Sequence, residues 1–199
     1  MNKSRFEAFS DGVFAFAITL LILGISLGAI AGPLNEAALT QHLLSLWPNL
    51  LAYLMSFAVI GLMWQNHHAL FRLVDRIDRR TVFLNLALLC VVVFIPFATS
   101  TLGSYPTLRP AELLYGLTLT ASATAYNGLL MHLVNSKAFA AGVTGQTIRP
   151  TIVAFRIGWI TYAIATLVAL VWPIASFALY LLIIGYFLVP RGADTDLAT

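Results

Sequence analysis

Residues 5–23 read RFEAFSDGVFAFAITLLIL, an apolar run entered through charged and polar side chains. The apolar run extends from about residue 9 to 31, which is long enough to cross a hydrocarbon core of about 30 Å as a helix. A carboxylate such as Asp11 at the start of a membrane helix is rare and usually has a specific role. This stretch therefore predicts a first membrane helix with a polar entry.

The composition of the whole chain is typical of a membrane protein. Of its 199 residues, 60% are hydrophobic and only 10% are charged, and the mean hydropathy is +0.89. A soluble domain is about half apolar and about a quarter charged. The apolar residues form long runs rather than the alternation of a membrane barrel. We therefore expect an all-α integral membrane protein embedded in a lipid bilayer, with no nucleic-acid partner.

Six apolar runs predict six transmembrane helices in a single domain spanning residues 1–199. The runs cover approximately residues 9–31, 45–68, 82–103, 111–134, 152–171 and 174–189. Short polar ends, residues 1–8 and 190–199, flank them. The segment 35–46 is either a short interfacial helix or a loop.

The basic residues predict the orientation of these helices. Ten of them fall before the first run, after the second, after the fourth or after the sixth: Lys3, Arg5, Arg72, Arg76, Arg79, Arg80, Lys137, Arg149, Arg156 and Arg191. Only Arg109 falls on the other side. Because basic loops remain in the cytoplasm, both termini are expected there, in a multi-pass protein of the plasma membrane.

Polar side chains recur at one predicted depth, near the cytoplasmic ends of the first three helices. They are Arg5, Ser10, Asp11, Trp64, His67, His68 and Asn85. Such residues favour a network of interhelical hydrogen bonds, each contributing roughly 0.6–2 kcal/mol in a membrane.

A metal site is the sharper alternative, because Asp11, His67 and His68 are possible ligands. Adjacent histidines point about 100° apart on a helix, and the cluster contains no thiolate. The hydrogen-bond network is therefore preferred, and we expect neither a metal ion nor another cofactor.

In projection, one stripe of the first helix lies within about 60° of Phe16. It contains Gly12, Phe16, Thr19, Leu20, Leu23 and Leu27. Asp11 lies about 140° from Phe16, away from this stripe. The stripe could face a shared axis, lipid or the protein core, and projection alone favours lipid or core.

The motif Arg-x-x-x-Phe-Ser-Asp at residues 5–11 and the apolar run after it resemble the transmembrane protein 175 family of potassium channels. The short prokaryotic members, with one six-helix repeat, are the most similar. The resemblance continues in Trp64-Gln65-Asn66-His67-His68, in Asn85 and in Ile95-Pro96-Phe97. It covers the first half of the chain well, whereas the later helices match only in number and hydrophobicity.

The resemblance implies a homotetramer whose first helix lines a central pore. It assigns Phe16, Leu20 and Leu23 to a hydrophobic constriction, or gate, in place of a carbonyl filter, and Thr19 to selectivity. It also implies that Arg5, Ser10, Asp11, His67, His68 and Asn85 form a packing network. The implied function is passive, moderately selective flux of K⁺, with other monovalent cations also passing. Phe16 is bulkier than the aliphatic residue usual in the family.

Three other functions are compatible with a six-helix membrane protein. A secondary transporter usually has broken helices and polar groups at the bilayer midplane, and the midplane of the first helix here is apolar. A membrane enzyme would need a catalytic set, for which His67 and His68 with Asp11 are the only candidates. We therefore expect that this protein is not an enzyme. A non-conducting structural or interaction protein is the remaining alternative.

Overall fold

The computed structural model describes residues 2–26 and 35–188, and every regular element in these two ranges is an α-helix. The helices are α1 Lys3–Leu23, α2 Glu36–Ser45, α3 Trp47–Arg72, α4 Arg79–Ser104, α5 Arg109–Asn135, α6 Gly145–Ala169 and α7 Pro173–Leu188. An isolated antiparallel bridge pairs Val74 with Phe139, in the loops that follow α3 and α5. The expected all-α class is confirmed.

Short polar residues fix where several helices begin. The Asn2 side chain accepts a hydrogen bond from the backbone N–H of Ser4 at 3.1 Å, at the start of α1. Asp78 caps α4 by accepting from the backbone N–H of Thr81 at 2.6 Å. Such N-caps satisfy backbone donors that have no partner within the helix. As a result, the charged residues after Asn2 are helical.

α4 is the central helix of the bundle. Its buried apolar residues recur every three or four positions: Leu88, Val92, Ile95, Ala98 and Leu102. α4 packs against α1, α3 and α5, while α6 lies between α5 and α7, and α7 returns to α3. α1 packs against α3 and α4, so it lies at the edge of the bundle.

Four helices, α1, α3, α4 and α6, are long and apolar enough to cross a membrane, and α7 is a shorter apolar helix. α5 has 27 residues but carries more polar side chains than these helices. The chain is therefore a polytopic helical protein. The sequence predicted six spans, two more than the four that meet these criteria of length and hydropathy.

Two boundaries of the first helix differ from the sequence prediction. α1 begins at Lys3, within the expected polar end 1–8, and it ends at Leu23 rather than near residue 31. At its end the Gly24 N–H bonds to the Leu21 carbonyl at 3.2 Å, and the Ser100 hydroxyl donates to the Gly24 carbonyl at 3.0 Å. These hydrogen bonds take the place of the regular bonds between residues four apart, so the helix ends here.

The segment 35–46 contains a helix, α2, with no buried residue. Leu27 and the predicted tail 190–199 lie outside the described residues.

Candidate functional site: the two faces of the first helix

The two faces of α1 have opposite environments. One face is buried against α3 and α4 and consists of Phe6, Ser10, Phe14, Ala17 and Leu21. On the opposite face Phe16 is 65% exposed and Leu23 is 75% exposed. Gly12 and Thr19 are also exposed, and Leu20 is half-buried. The predicted stripe is therefore directed away from the core of its own chain.

A shallow apolar groove lies beside this stripe. It measures about 380 Å³ and is lined by Ala8, Phe9, Gly12, Val13, Phe16 and Val93. All but Val93, which belongs to α4, come from α1. An apolar concave surface on the outside of a membrane protein suits lipid or a neighbouring subunit.

A directional chain of hydrogen bonds anchors the buried face of α1. The His67 Nε2–H donates to Asn85 Oδ1 at 2.8 Å, and Asn85 Nδ2 donates to the Ser10 hydroxyl at 3.0 Å. Ser10 donates its own proton to the Phe6 carbonyl at 3.0 Å. All three side chains are buried. We call Ser10, His67 and Asn85 the α1 anchor, because they join α1 to α3 and α4.

The His67 ring is enclosed by aromatic rings. Its centroid lies 4.5 Å from that of Phe71, 5.4 Å from Phe14 and 6.5 Å from both Phe6 and Tyr126. Sequence patterns did not identify Phe14 and Tyr126 as part of this site. The helical spacing of Phe6, Ser10 and Phe14 was a usable signal. Tyr126 comes from α5, and only the packing of α5 brings it here.

Asp11 and Trp64 form a second hydrogen bond between α1 and α3. The Trp64 indole N–H donates to Asp11 Oδ1 at 2.9 Å, and the indole stacks on His68 with centroids 6.1 Å apart. Asp11, His67 and His68 thus have different partners and do not converge. No group of three or more His, Cys, Asp or Glu that could hold a metal ion occurs within residues 2–26 and 35–188.

Arg5, which was predicted to belong to the hydrogen-bond network, contacts neither the α1 anchor nor the pair of Asp11 and Trp64. Its side chain is exposed, and within the described part of the chain it has no hydrogen bond or ion pair. The neighbouring basic residue, Lys3, does make contacts. Its ammonium donates to the Val74 carbonyl at 2.7 Å and lies 3.9 Å from the Glu7 carboxylate.

The loops after α3 and α5 meet at the same end of the bundle as the start of α1. The Asp75 N–H donates to the Ala138 carbonyl at 2.8 Å, and the Ala140 N–H donates to the Leu73 carbonyl at 2.9 Å. Through Lys3 and these backbone bonds, the loops that sequence analysis assigned to the cytoplasm lie together.

A side-chain contact between His132 and Asp78 joins α5 to the start of α4. His132 Nε2 lies 3.1 Å from both carboxylate oxygens of Asp78. Hydrogen bonds from the backbone N–H and hydroxyl of Thr81, and then from His132, lower the pKa of Asp78 to about 2. These bonds stabilise the ionised carboxylate.

The fold and the two faces of α1 define an α-helical integral membrane protein whose first helix is anchored on one side and uncovered on the other. A family model described as the endosomal/lysosomal potassium channel TMEM175 matches residues 5–96. A potassium channel of Streptomyces collinus is 40% identical over 201 residues, covering 96% of this chain and 95% of that protein. Another potassium channel, from Chamaesiphon minutus, is 45% identical over 134 residues, 66% of each chain.

A solved structure supports the same relationship. It is described as the crystal structure of a lysosomal potassium-selective channel TMEM175 homolog from Chamaesiphon minutus. The two chains are 35% identical and superpose with a TM-score of 0.81, covering 93% of this chain and 95% of the other. The chain therefore belongs to the TMEM175 family, and the resemblance stated from the sequence is confirmed.

Proposed function

We propose that this chain is the subunit of a potassium channel in which α1 lines the conduction path. The observation that carries the proposal is the pair of opposite faces on α1, one held by buried hydrogen bonds and the other uncovered and apolar. The relatives described above are named potassium channels. Membership of this channel family also favours a channel over an enzyme.

One copy of α1 cannot enclose a path, so several copies must meet around an axis. The family resemblance implies four, and we propose a homotetramer. The exposed stripe and the apolar groove of α1 and Val93 support this assembly, because a second subunit would cover apolar surface there. Lipid would cover the exposed apolar side chains on the other helices.

The proposed constriction consists of Phe16, Leu20 and Leu23. A narrow apolar neck expels water and blocks an ion that cannot shed its hydration shell. Potassium sheds water more readily than sodium, so a neck that removes part of the shell favours potassium and admits other monovalent cations less selectively. The Thr19 hydroxyl donates its proton to the Phe16 carbonyl at 2.8 Å. Its lone pairs are then available to a cation.

We include α5 and α7 among six membrane spans. The 27 residues of α5 would extend about 40 Å as a helix. Several of its hydroxyls bond to carbonyls one turn back, as Thr118 does to Leu114 and Ser122 does to Thr118. Those bonds, together with packing between α4 and α6, make the polar content of α5 compatible with a membrane.

The basic loops support the proposed orientation. The start of α1 and the loops after α3 and α5 lie at one end of the bundle, and these segments contain most of the basic residues. By the positive-inside rule, we propose that both termini lie in the cytoplasm and that the channel lies in the plasma membrane.

Potassium flux through the purified protein in liposomes, compared with sodium and caesium, tests the proposal. The variant Phe16→Ala should raise potassium flux severalfold, because four smaller side chains widen the neck and let water remain in it. Phe57→Ala is the matched control, since Phe57 is exposed on α3 and outside the stripe.

Phe57→Ala should conduct like the natural sequence. Equal flux through both variants and the natural sequence would remove Phe16 from the conduction path. No flux of any cation through folded protein would contradict the channel itself and favour a non-conducting structural role or a transporter.

A further inference from the structure

A second buried polar cluster lies at the other end of the bundle, away from α1. Glu112, in the first turn of α5, has an exposed fraction of 0%, and neither of its carboxylate oxygens has a hydrogen-bond partner among the described residues. The Tyr180 hydroxyl on α7 is likewise buried without a partner in that part of the chain. Glu112 was not among the residues predicted from the sequence, although an acid at the start of an apolar run was a usable signal.

α7 approaches α5 closely at this point. Ser176 of α7 lies beside the Glu112 carboxyl. One turn further along both helices, the Tyr180 hydroxyl occupies the space where a side chain at position 116 would begin, so only Gly116 fits. Glu112 lies beside Ser176, and Gly116, four residues later, lies beside Tyr180, which is four residues after Ser176. The two helices therefore run in the same direction.

The hydroxyl protons of Ser176 and Thr166 are already donated to backbone carbonyls. Ser176 donates to the Ala165 carbonyl at 2.9 Å, and Thr166 donates to the Tyr162 carbonyl at 2.7 Å. Ser176 therefore presents only lone pairs to the carboxyl, and an ionised carboxylate also presents only lone pairs. The two groups repel each other unless a proton lies between them.

No positive charge compensates Glu112 within the described ranges. The titratable groups that face it are phenols, Tyr115 on its own helix and Tyr180 on α7, and Tyr162 of α6 adjoins Tyr115. None of the described Lys, Arg or His side chains forms an ion pair with it. A buried carboxylate without a partner is costly, and binding a proton removes that cost.

We propose that Glu112 is a proton-binding site that fastens α7 to α5 and α6. The bound proton lies on a carboxyl oxygen and is donated to the Ser176 hydroxyl oxygen, which continues to donate to the Ala165 carbonyl. The bonds then run in one direction from α5 through α7 to α6. The ligand is the proton, which needs no cavity. The site is independent of conduction through α1.

Infrared spectroscopy of the full chain in lipid nanodiscs tests the proposal directly. At neutral pH the folded protein should show the carbonyl band of a protonated carboxyl. Glu112→Gln should remove this band, because Gln keeps the shape and has no carboxyl. The control Glu36→Gln should retain it, since Glu36 is exposed at the start of α2.

Ser176→Ala provides a second test that does not depend on how Glu112→Gln folds. It removes the proposed acceptor of the proton, so the band should shift in frequency while its intensity persists. Absence of the band from the folded natural sequence would overturn the proposal. So would a band that persists in folded Glu112→Gln, or one whose frequency is unchanged in Ser176→Ala.

The pH dependence of thermal unfolding provides an independent measurement. The unfolded chain releases the Glu112 proton above about pH 4, whereas the folded protein is proposed to keep it. The natural sequence should therefore unfold at a lower temperature as the pH rises from that value through neutral pH. Glu112→Gln should lack the part of this slope that comes from Glu112. A slope identical in both proteins would contradict the proposal. So would stabilisation by added Na⁺ or K⁺ that Glu112→Gln abolishes, since an alkali cation would then occupy the site.

Discussion

Two buried polar clusters in this molecule differ in how their hydrogen-bond donors and acceptors are balanced. In the α1 anchor every donor meets an acceptor, from His67 through Asn85 to Ser10 and the Phe6 carbonyl. In the cluster of α5 and α7, Ser176 donates its proton to the Ala165 carbonyl, and the Glu112 carboxyl has no hydrogen-bond donor among the described residues. The first cluster is complete without a ligand, whereas the second needs a proton.

The difference teaches what buried polar groups do in a membrane protein. A balanced chain holds helices in one register, because each broken bond would leave an unpaired group in an apolar medium. An unbalanced cluster identifies a place where a ligand completes the set. The α1 anchor positions the proposed pore helix, and the Glu112 cluster joins α7 to its neighbours.

The largest expected effect comes from Gly116 of α5, which the Tyr180 hydroxyl of α7 contacts. Gly116→Ala places a methyl group against the Tyr180 and Thr166 hydroxyls. We expect a loss of about 2–3 kcal/mol in the free energy of unfolding, because the two helices must separate. Denaturant titration in mixed micelles measures it.

Gly128, also on α5, is the matched control for this prediction. A methyl group at position 128 meets no atom of the described residues within 4 Å. Gly128→Ala should be neutral or stabilise by about 0.5–1 kcal/mol through helix propensity. Equal stability of the two variants would mean that α7 does not pack on α5 as described.

A smaller effect is expected from breaking the balanced cluster. Asn85→Ala removes the acceptor of His67 and the donor to Ser10, and it should lower the free energy of unfolding by about 1–2 kcal/mol. Asn66→Ala, at an exposed position of α3, should change it by less than about 0.5 kcal/mol. If both variants unfold alike, the chain of hydrogen bonds does not stabilise α1.

The smallest effect concerns the partly exposed pair of Asp78 and His132, which connects the start of α4 to α5. Because the folded-state pKa of Asp78 is lowered to about 2, its stabilising contribution is present above about pH 4 and is lost as the pH falls towards 2. Asp78→Asn keeps the helix cap, since Asn caps as well as Asp. It should remove this part of the acid slope of the thermal midpoint.

Asp75→Asn, in the same loop, is the control for the acid slope and should leave it in place. The expected shift is small because Asp78 is half exposed and water screens the pair. An acid slope that persists in Asp78→Asn would assign it to other carboxylates.

The sequence by itself determined the class of this protein and the identity of its first helix. Long apolar runs can only be helices in a bilayer, because a lipid-exposed backbone must satisfy its own hydrogen bonds. The stripe of Phe16, Thr19 and Leu23 also followed from the sequence, since helical periodicity fixes which side chains share a face. Periodicity did not decide whether that face meets the core or the outside.

Tertiary structure decided everything that depends on contacts between distant segments. Packing of α3 and α4 on α1 directs the Phe16 stripe outward, and it selects Ser10, His67 and Asn85 as bonded partners while leaving Arg5 exposed. The isolation of Glu112 is likewise a tertiary property. A carboxyl is partnered or unpartnered only according to the hydroxyls that other helices bring beside it and the directions in which those hydroxyls donate.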